Sequence, residues 1–240
     1  MMLDVGEVHI WLAWLKPGPE DGTTFKQLLS PSENAAADRF VFERHRVAYR
    51  FAHTALRSIL SGYVERAPEQ LRFAQNSFGK PFLSDMDKAC QIQFNMSHSG
   101  QVVAVAVTRD RHIGVDVEMM RPMKDFAGIS NLNFTPEERA WIGGAPIELQ
   151  QNAFFTSWAR KEAVIKAVGK GLSMPLNTFD ASIPSGQSGR RLILPDAPDV
   201  DSWWLADLNA PSGYAGAVAV EGSIERLMYS VWEPNSMSQF

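Results

Sequence analysis

The sequence predicts an α+β protein made of two similar, pseudo-repeated α/β subdomains, with its functional site in the cleft between them. Both halves of the chain contain a long helical segment followed by short, antiparallel-looking strands, which is typical of this class. The strings SGQVVAVAV, from residue 99, and SGYAGAVAV, from residue 212, lie at the same distance behind their helices. Strands rich in Ala and Val also resemble one another by chance, so this likeness alone leaves a duplication open. Clefts between domains are favoured ligand sites.

The elements are expected in the same order in each half. The first half begins with a strand, VHIWLAWL, and passes through a loop rich in Pro and Gly into a long helix over about residues 32–61. A turn at FGKPF then leads to a pair of strands, QVVAVAVT and HIGVDVE. The second half has a helix, NAFFTSWARKEAVIKAV, followed by SGYAGAVAVEG and by strands around residues 179–183, 190–194 and 203–208. We predict two subdomains, 1–110 and 111–240.

Composition and charge exclude several classes of protein. The 240 residues carry a formal net charge of -4, so we expect neither nucleic acid nor a membrane as a partner. No stretch reaches the roughly 20 apolar residues that span a bilayer, and the start has an acidic residue where a secretory signal needs basic ones. The single cysteine, Cys90, cannot form an internal disulfide or a thiolate metal cluster. We therefore expect a cytoplasmic protein.

Two carboxylates, Asp116 and Glu118, lie two residues apart in the strand-like stretch IGVDVEMMRP. Successive side chains of a strand point to opposite faces, so these two project from the same side of the sheet. An acidic strand edge that faces solvent would explain the pair. A site for a hard cation such as Mg²⁺, which prefers oxygen ligands, would explain it equally. The sequence lacks the cluster of His and Cys that zinc needs.

A third carboxylate, Glu162, falls on the apolar face of the helix FFTSWARKEAVIKAVGKG. At about 100° per residue, it shares a stripe with Phe154, Phe155, Trp158, Ile165 and Val168. An unpaired buried carboxylate costs several kcal/mol, so Glu162 needs a cation or a metal as its partner. An intrahelical pair with Lys166 would explain a surface position but not these apolar neighbours.

Basic residues gather on one side of the first long helix. Taking Arg46 as reference, the residues on its side are Arg39, Arg50, His53 and Arg57, whereas Arg44 points away. The stripe fits a solvated face with acidic partners, and it also fits a polyanion site, because guanidinium groups match phosphate geometry. Two loops supply further candidate anion donors, namely FGKPF with Lys80 and FNMSHSG with Ser97, His98 and Ser99.

Taken in this order, FGKPFL, FNMSHSG, IGVDVE and FFTSWARKEAVIKAVGKGL resemble motifs of the 4'-phosphopantetheinyl transferases, in the long, monomeric, surfactin-synthetase-activating (Sfp-like) branch of that family. The four motifs span residues 78–172 with family-like spacing. The resemblance implies transfer of the 4'-phosphopantetheine arm of coenzyme A to a serine of an apo acyl or peptidyl carrier protein, with release of adenosine 3',5'-bisphosphate. It also implies a monomer that uses Mg²⁺, for which Mn²⁺ can substitute.

The resemblance implies roles for individual residues. The metal carboxylates would be Asp116, Glu118 and Glu162. Glu162 would also be the catalytic base, and Lys166 would act beside it on the diphosphate. The residues that would bind coenzyme A are Arg46, Lys80, Pro81, Ser97, His98, Asp116, Glu162 and Lys166.

Arg46 matches the basic residue at the family's 3'-phosphate site, which the resemblance assigns to the N-terminal subdomain. Here the match is looser. Many relatives have an acidic residue just before this arginine and a basic residue two positions after it, where this chain has His45 and Ala48. Arg39 or Arg50 is expected to share the contact.

The stretch MMRPMKDFAGISNLNF, between the carboxylate pair and the next helix, has three Met, two Phe and two basic residues. It fits an ordinary loop with a short helix that fills the core. It also fits an adaptable surface, and the resemblance implies that this region helps to receive the carrier protein. Two other functions stay open at this point: a metal-dependent nucleotide phosphohydrolase, with water as nucleophile, and a non-catalytic protein that binds coenzyme A.

Overall fold

The computed structural model describes residues 1–16, 21–84, 91–194, 197 and 200–234, so Cys90 lies outside the described residues. The helices are α1 (Asp21–Leu28), α2 (Pro31–Asp38), α3 (Glu43–Val64), α4 (Phe126–Asn133), α5 (Pro136–Gly144) and α6 (Gln150–Val168). The strands are β1 (Glu7–Trp14), β2 (Phe73–Gln75), β3 (Pro81–Leu83), β4 (Ile92–Ser99), β5 (Val102–Arg109), β6 (Ile113–Met119), β7 (Arg190–Leu192), β8 (Trp203–Asp207), β9 (Tyr214–Glu221) and β10 (Arg226–Trp232). None of these helices is long and apolar enough to cross a bilayer.

The first sheet has the strand order β10-β1-β5-β4. β1 pairs antiparallel with β5 and parallel with β10, and β4 pairs antiparallel with β5. The helix α3 packs on this sheet through residues one helical turn apart, such as Phe51, Ala55 and Ile59, which meet Val103 and Val105 of β5 in one buried cluster. Since β5 is apolar at nearly every position, both of its faces are buried.

The second sheet has the order β6-β9-β8-β7 and is antiparallel throughout. The helix α6 lies across β6 and β9 and shares a buried core with them. Gly114 allows a close approach, because a Cβ atom there would lie 2.2 Å from both Ala163 O and Ala167 N of the helix. The absence of this one side chain therefore sets the helix close against the strand that carries Asp116.

The inner faces of the two sheets pack against each other. Val8 and Ile10 of the first sheet share a buried cluster with Val115 and Val218 of the second sheet. At the edge of this contact, β4 runs beside β6, and the Val115 N–H donates to Asn95 Oδ1 over 2.9 Å. The junction between β4 and β6 is thus fixed by hydrogen bonds as well as by apolar contact.

The predicted α+β class is confirmed, since in each half a helix packs on a four-stranded sheet. The predicted long helix over residues 32–61 is wrong, because the chain leaves the helical conformation after Asp38 and enters α3 through Phe42, which has φ -95° and ψ 132°. Arg39 therefore caps α2 and does not share a face with Arg46. The strands predicted at 203–208 and in SGYAGAVAVEG are confirmed as β8 and β9.

Other local predictions also differ from the structure. FNMSHSG is not a loop but forms most of β4, and the predicted strand pair is not formed, because β5 pairs with β1 and β4 whereas β6 pairs with β9. No strand forms at residues 179–183. There, the Phe179 carbonyl accepts from Lys161 Nζ and the Ala181 N–H donates to Glu138 Oε1 over 2.8 Å, so side chains satisfy the backbone.

The last strand was not predicted. β10 pairs with β1 and so adds residues 226–232 to the first sheet. The division of the chain into 1–110 and 111–240 stays a prediction, and a strand from the second of these segments completes the sheet of the first.

Candidate active site

The two carboxylates of β6 lie where the edge of the first sheet meets α6. Asp116 is only 2% exposed. Its Oδ1 accepts hydrogen bonds from Ser97 Oγ over 2.8 Å and from Lys166 Nζ over 2.6 Å. Among the described residues, its Oδ2 is buried with no hydrogen-bond partner. Buried oxygens are normally satisfied, so this one marks a place prepared for another group.

A ladder of polar side chains from β4 holds β6 in place. Ser99 Oγ donates to Glu118 Oε2 over 2.9 Å and accepts from the Met119 N–H over 3.0 Å. Asn95 accepts from the Val115 N–H and Ser97 donates to Asp116, so three alternate side chains of β4 bind β6. Period-2 spacing puts them on one face, so β4 orients both carboxylates.

Glu162 and Lys166 face the same place from α6, one helical turn apart. Lys166 Nζ donates to Ser97 Oγ over 3.0 Å as well as to Asp116. The intrahelical pair between Glu162 and Lys166 is not formed; in the part of the chain that the structure describes, Glu162 has neither a hydrogen bond nor an ion pair. Its half-buried carboxylate is thus available to a ligand.

All three carboxylates bind protons more tightly than usual, chiefly because they are buried. Burial first, and the charge of Asp116 second, raise the pKa of Glu118 and of Glu162 above their ordinary values. Burial also raises the pKa of Asp116, against the opposing effects of Lys166 and Ser97. One ammonium thus faces three acidic groups, and the site favours further positive charge.

Two connected pockets open beside these groups. A pocket of about 290 Å³ is lined by Lys80, Pro81, Met96, Glu162 and Lys166, among others. A larger one, of about 530 Å³, shares Pro81 and Met96 with it. The larger pocket extends past Tyr49, His53, Arg57 and Arg72. Together they form a cleft with Glu162 and Lys166 at one end and basic and aromatic side chains at the other.

Comparison with known proteins identifies the family. A model of the 4'-phosphopantetheinyl transferase superfamily matches residues 112–219, and a model of the 4'-phosphopantetheinyl transferase N-terminal region matches residues 13–110. The chain is 34% identical over 216 residues to the 4'-phosphopantetheinyl transferase HetI of Nostoc sp. strain PCC 7120, which covers 90% of this chain and 88% of HetI.

The chain belongs to the 4'-phosphopantetheinyl transferases.

Two further relatives agree with this family. The chain is 30% identical over 179 residues to the 4'-phosphopantetheinyl transferase Sfp of Bacillus subtilis, with 74% of this chain and 76% of Sfp covered. It is 34% identical over 183 residues to psf-1 of Bacillus pumilus, with 76% of each chain covered. The resemblance carried by the four motifs is thus confirmed. The protein is an enzyme of a family that uses coenzyme A as substrate and acts on carrier proteins.

Three arginines of the predicted basic stripe, Arg46, Arg50 and Arg57, are paired with carboxylates of the protein. Arg50 is bound to Asp38, and Arg57 Nη2 lies 2.7 Å from Glu33 Oε2. Both arginine side chains are more than nine-tenths buried. Arg46 is bound to Glu43 Oε2 over 3.2 Å, but its side chain keeps 33% exposure. Of the predicted 3'-phosphate contacts, the accessible ones are therefore Arg46 and the exposed Arg39.

Two histidines link the acidic groups to this basic region. His98 keeps solvent access, yet desolvation by the surrounding protein and then the charge of Lys166 lower its pKa. Burial lowers the pKa of His53, and the charge of His98 adds to that effect. The ring of His53 stacks on Tyr49 with 3.8 Å between centroids. An anion bound beside either histidine would favour its charged form.

Lys80 and Pro81, which the resemblance assigned to the coenzyme A cleft, line the smaller pocket, but the ammonium of Lys80 is already engaged. It donates to Ile113 O over 2.9 Å and to Ala167 O over 3.0 Å. Burial lowers its pKa to about 8. Sequence reasoning missed this arrangement, because nothing in FGKPF points to distant backbone carbonyls.

Sequence reasoning also missed Asn95 and Asn76, although one signal for Asn95 was present. In FNMSHSG, Asn95, Ser97 and Ser99 alternate as residues on one face of a strand do. Interpreting the segment as a loop concealed that pattern. Asn76 lies outside the four motifs, and its partner, Gly169, is 93 residues away.

Proposed function

We propose that this enzyme transfers the 4'-phosphopantetheine group of coenzyme A to the serine of an apo acyl or peptidyl carrier protein, with a divalent cation, and releases adenosine 3',5'-bisphosphate. The observation that carries the proposal is the ion pair between Asp116 and Lys166, whose charges act on the half-buried carboxylates of Glu118 and Glu162, at the end of a cleft in a chain of this family.

The acidic groups fit a hard cation. All three offer oxygen ligands, Asp116 Oδ2 is buried without a partner in the described residues, and the pKa of each carboxyl is raised, chiefly by burial. Within the described residues, no group of three or more His, Cys, Asp or Glu side chains is arranged so that it could hold a metal ion without movement. We infer that Asp116, Glu118 and Glu162 would hold Mg²⁺ or Mn²⁺ together with oxygens of the substrate. When bound, the cation would neutralise charge on the diphosphate.

The chemistry follows from the charges of the substrate. The serine Oγ of the carrier attacks the phosphorus nearest pantetheine, and the bond from that phosphorus to the bridging oxygen of the diphosphate breaks. The bridging oxygen keeps the electron pair and leaves on adenosine 3',5'-bisphosphate. Such phosphoryl transfer needs mainly positioning and electrostatic stabilisation.

Glu162 is suited to take the proton of the serine. A carboxylate in an ordinary environment is a weak base, whereas burial and the neighbouring charges raise the pKa of Glu162 toward the working pH. It has no competing partner among the residues described. We propose that Glu162 accepts the proton as the new bond to phosphorus forms.

Lys166, Ser97 and His98 would bind the anionic part of coenzyme A. Lys166 Nζ lies at the border of the smaller pocket and shares Asp116 with Ser97. Its charge is therefore held where a diphosphate would meet it. We propose Arg46 as the main contact of the 3'-phosphate, with the exposed Arg39 as the second candidate. Lys80 and Pro81 contribute their surfaces to the wall.

The region that follows β6 would receive the carrier protein. Met120, Met123, Phe126 and Ile129 pack partly buried against the second core, so much of this stretch fills the core, as one interpretation of the sequence held. Leu132 of α4 is 75% exposed and offers an apolar contact on the outside. A monomeric, cytoplasmic enzyme with no nucleic-acid or membrane partner remains part of the proposal.

The test is to incubate the purified enzyme with Mg²⁺, coenzyme A and a panel of apo carrier proteins, and to weigh each carrier by mass spectrometry. We expect one carrier at least to gain the mass of one phosphopantetheine group, and the same carrier with its serine changed to alanine to gain none. Release of adenosine 3',5'-bisphosphate without any carrier would instead indicate a phosphohydrolase. Binding of coenzyme A without turnover would indicate a binding protein.

A further inference from the structure

A tight turn at residues 76–80, in the first half of the chain, contacts the end of α6, the helix that carries Glu162 and Lys166. Inside the turn, Asn76 Oδ1 accepts from the N–H groups of Phe78 and Lys80, both over 2.9 Å. The Asn76 N–H donates to Lys80 O, and the Gly79 N–H donates to Asn76 O, each over 3.0 Å. Four hydrogen bonds within five residues make the turn a rigid unit.

This turn binds the last residues of α6 with two side chains. Asn76 Nδ2 donates to Gly169 O over 3.0 Å, and Lys80 Nζ donates to Ala167 O over 3.0 Å. The last carbonyls of a helix have no partner within the helix, so they need donors from elsewhere. Gly169, at φ 74°, ends the helix in the left-handed conformation and turns its carbonyl toward Asn76.

Lys80 also binds the first residue of β6. Its ammonium donates to Ile113 O over 2.9 Å, so one group joins the start of β6 to the end of α6. These two elements carry all four charged groups of the site, since Asp116 and Glu118 lie on β6 and Glu162 and Lys166 lie on α6. Lys166 directly precedes Ala167, whose carbonyl Lys80 holds.

The environment of the Lys80 ammonium favours this role over that of an anion ligand. Its two identified partners are neutral carbonyls, no carboxylate balances it in the ion pairs of the described chain, and burial alone lowers its pKa. An ammonium that binds phosphate usually keeps its charge accessible. Lys80 lines the pocket beside Gly169, whose added Cβ would lie 3.1 Å from Lys80 Cδ.

We propose that Asn76 and Lys80 are positioning residues: they fix the end of α6 against the start of β6 and thereby hold Glu162 and Lys166 over Asp116. Their side-chain polar groups act on the protein and do not bind coenzyme A. The expected effect on catalysis rests on the proposed function, whereas the hydrogen bonds that join residues 76–80 to α6 and β6 do not.

The first experiment tests the link in the free protein. Hydrogen exchange is measured for wild type, Asn76→Ala and Lys80→Met, with Lys16→Met as control, because the Lys16 side chain is 79% exposed in a surface ion pair. We expect faster exchange of the amides of the last turn of α6, including Gly169, in both variants and not in the control. Unchanged exchange there in both variants would overturn the proposal. Asn76→Ala removes no charge and so serves if Lys80→Met folds poorly.

The second experiment separates positioning from substrate binding. In the carrier assay, both variants should lose about 10- to 100-fold in kcat, because a small displacement of reacting groups is costly, while KM for coenzyme A stays within about twofold. The double variant should lose about as much as one single variant, since both changes break one link. A raised KM with unchanged kcat in Lys80→Met would overturn the proposal and make Lys80 a ligand.

The two experiments fail separately. If the wild-type enzyme modifies no carrier, the proposed function fails, and the exchange measurement still decides whether residues 76–80 hold α6. If transfer is normal in wild type and in both variants, the proposed function stands and the positioning role falls.

Discussion

Lys166 of α6 forms an ion pair with Asp116 of β6, with 2.6 Å between Nζ and Oδ1. The pair joins the helix to the strand, where helical spacing alone would have paired Lys166 with Glu162. Glu162 is thereby left without an ion-pair or hydrogen-bond partner among the described residues, while burial first, and then the charge of Asp116, raise its pKa. The effects on transfer that we expect from cation removal and from substitution of Glu162 follow from this ion pair.

Removal of divalent cations is expected to abolish transfer. Three carboxylates with raised pKa values face one ammonium, so the diphosphate of coenzyme A would meet a site that repels it unless a cation is present. Carrier mass is measured after treatment with a chelator and again after addition of Mg²⁺ or Mn²⁺, both of which should restore transfer. Full transfer in chelator-treated, metal-free samples would contradict the site.

Glu162→Gln is expected to abolish transfer and leave the fold intact. The loss of a general base alone typically reduces the rate by about 10² to 10⁴, and weaker cation binding would add to it. Stability should stay constant or rise slightly, because the change removes a charge that burial and its neighbours disfavour. The melting temperature and the single-turnover rate are compared with those of Glu148→Gln, an exposed position just before α6. Near wild-type transfer in folded Glu162→Gln would refute the assignment.

Arg46→Ala is expected to weaken binding of coenzyme A more than that of 3'-dephospho-coenzyme A, because only the former carries the phosphate that this arginine would meet. Arg44→Ala is the matched control, since Arg44 lies over the Phe42 ring at 5.0 Å and points away from Arg46. Affinities for both ligands are measured by calorimetry. Equal losses for the two ligands would assign the 3'-phosphate to other residues, of which Arg39 is the next accessible one.

The stability of the enzyme should depend on pH through Lys80. Its pKa is about 8 in the folded protein and about 10.5 when exposed, so the unfolded chain binds more protons between these values. The contribution of Lys80 to the free energy of unfolding is therefore largest above pH 10.5 and is lost as the pH falls toward 8.

Relative to Lys80→Met, the wild type should gain about 2 to 3 kcal/mol in free energy of unfolding between these two pH values, less any screening by solvent. Urea unfolding of both proteins across this range measures the difference. A difference that stays constant with pH would show that the ammonium is not desolvated as described.

Much of the site could be predicted from local sequence. Strand periodicity put Asp116 and Glu118 on one side of β6, and helical periodicity put Glu162 on the inner face of α6. Both inferences depend only on geometry within one element, which the backbone fixes. The four motifs likewise indicated the family that the comparisons show.

Other features depended on contacts between elements. The sequence predicted one long helix where the chain breaks after Asp38, because apolar spacing continues across a segment whose backbone becomes extended. It assigned FNMSHSG to a loop, because the hydrogen bonds of β4 are made to β5 and its side chains bind β6. The alternation of Asn95, Ser97 and Ser99 was the one local signal of a strand, and the groups that these side chains bind lie on another element.

The amino-acid sequence by itself determined which groups could do the chemistry, since the type and spacing of Asp116, Glu118, Glu162 and Lys166 are local properties. Tertiary structure alone decided which of them pair. A helical wheel gives the direction of a side chain but not the distance to another element, and electrostatic interactions depend on that distance and on burial. Hence Lys166 binds Asp116, and Glu162 keeps no partner among the described residues. Lys80 holds the end of the helix in place by donating to two backbone carbonyls.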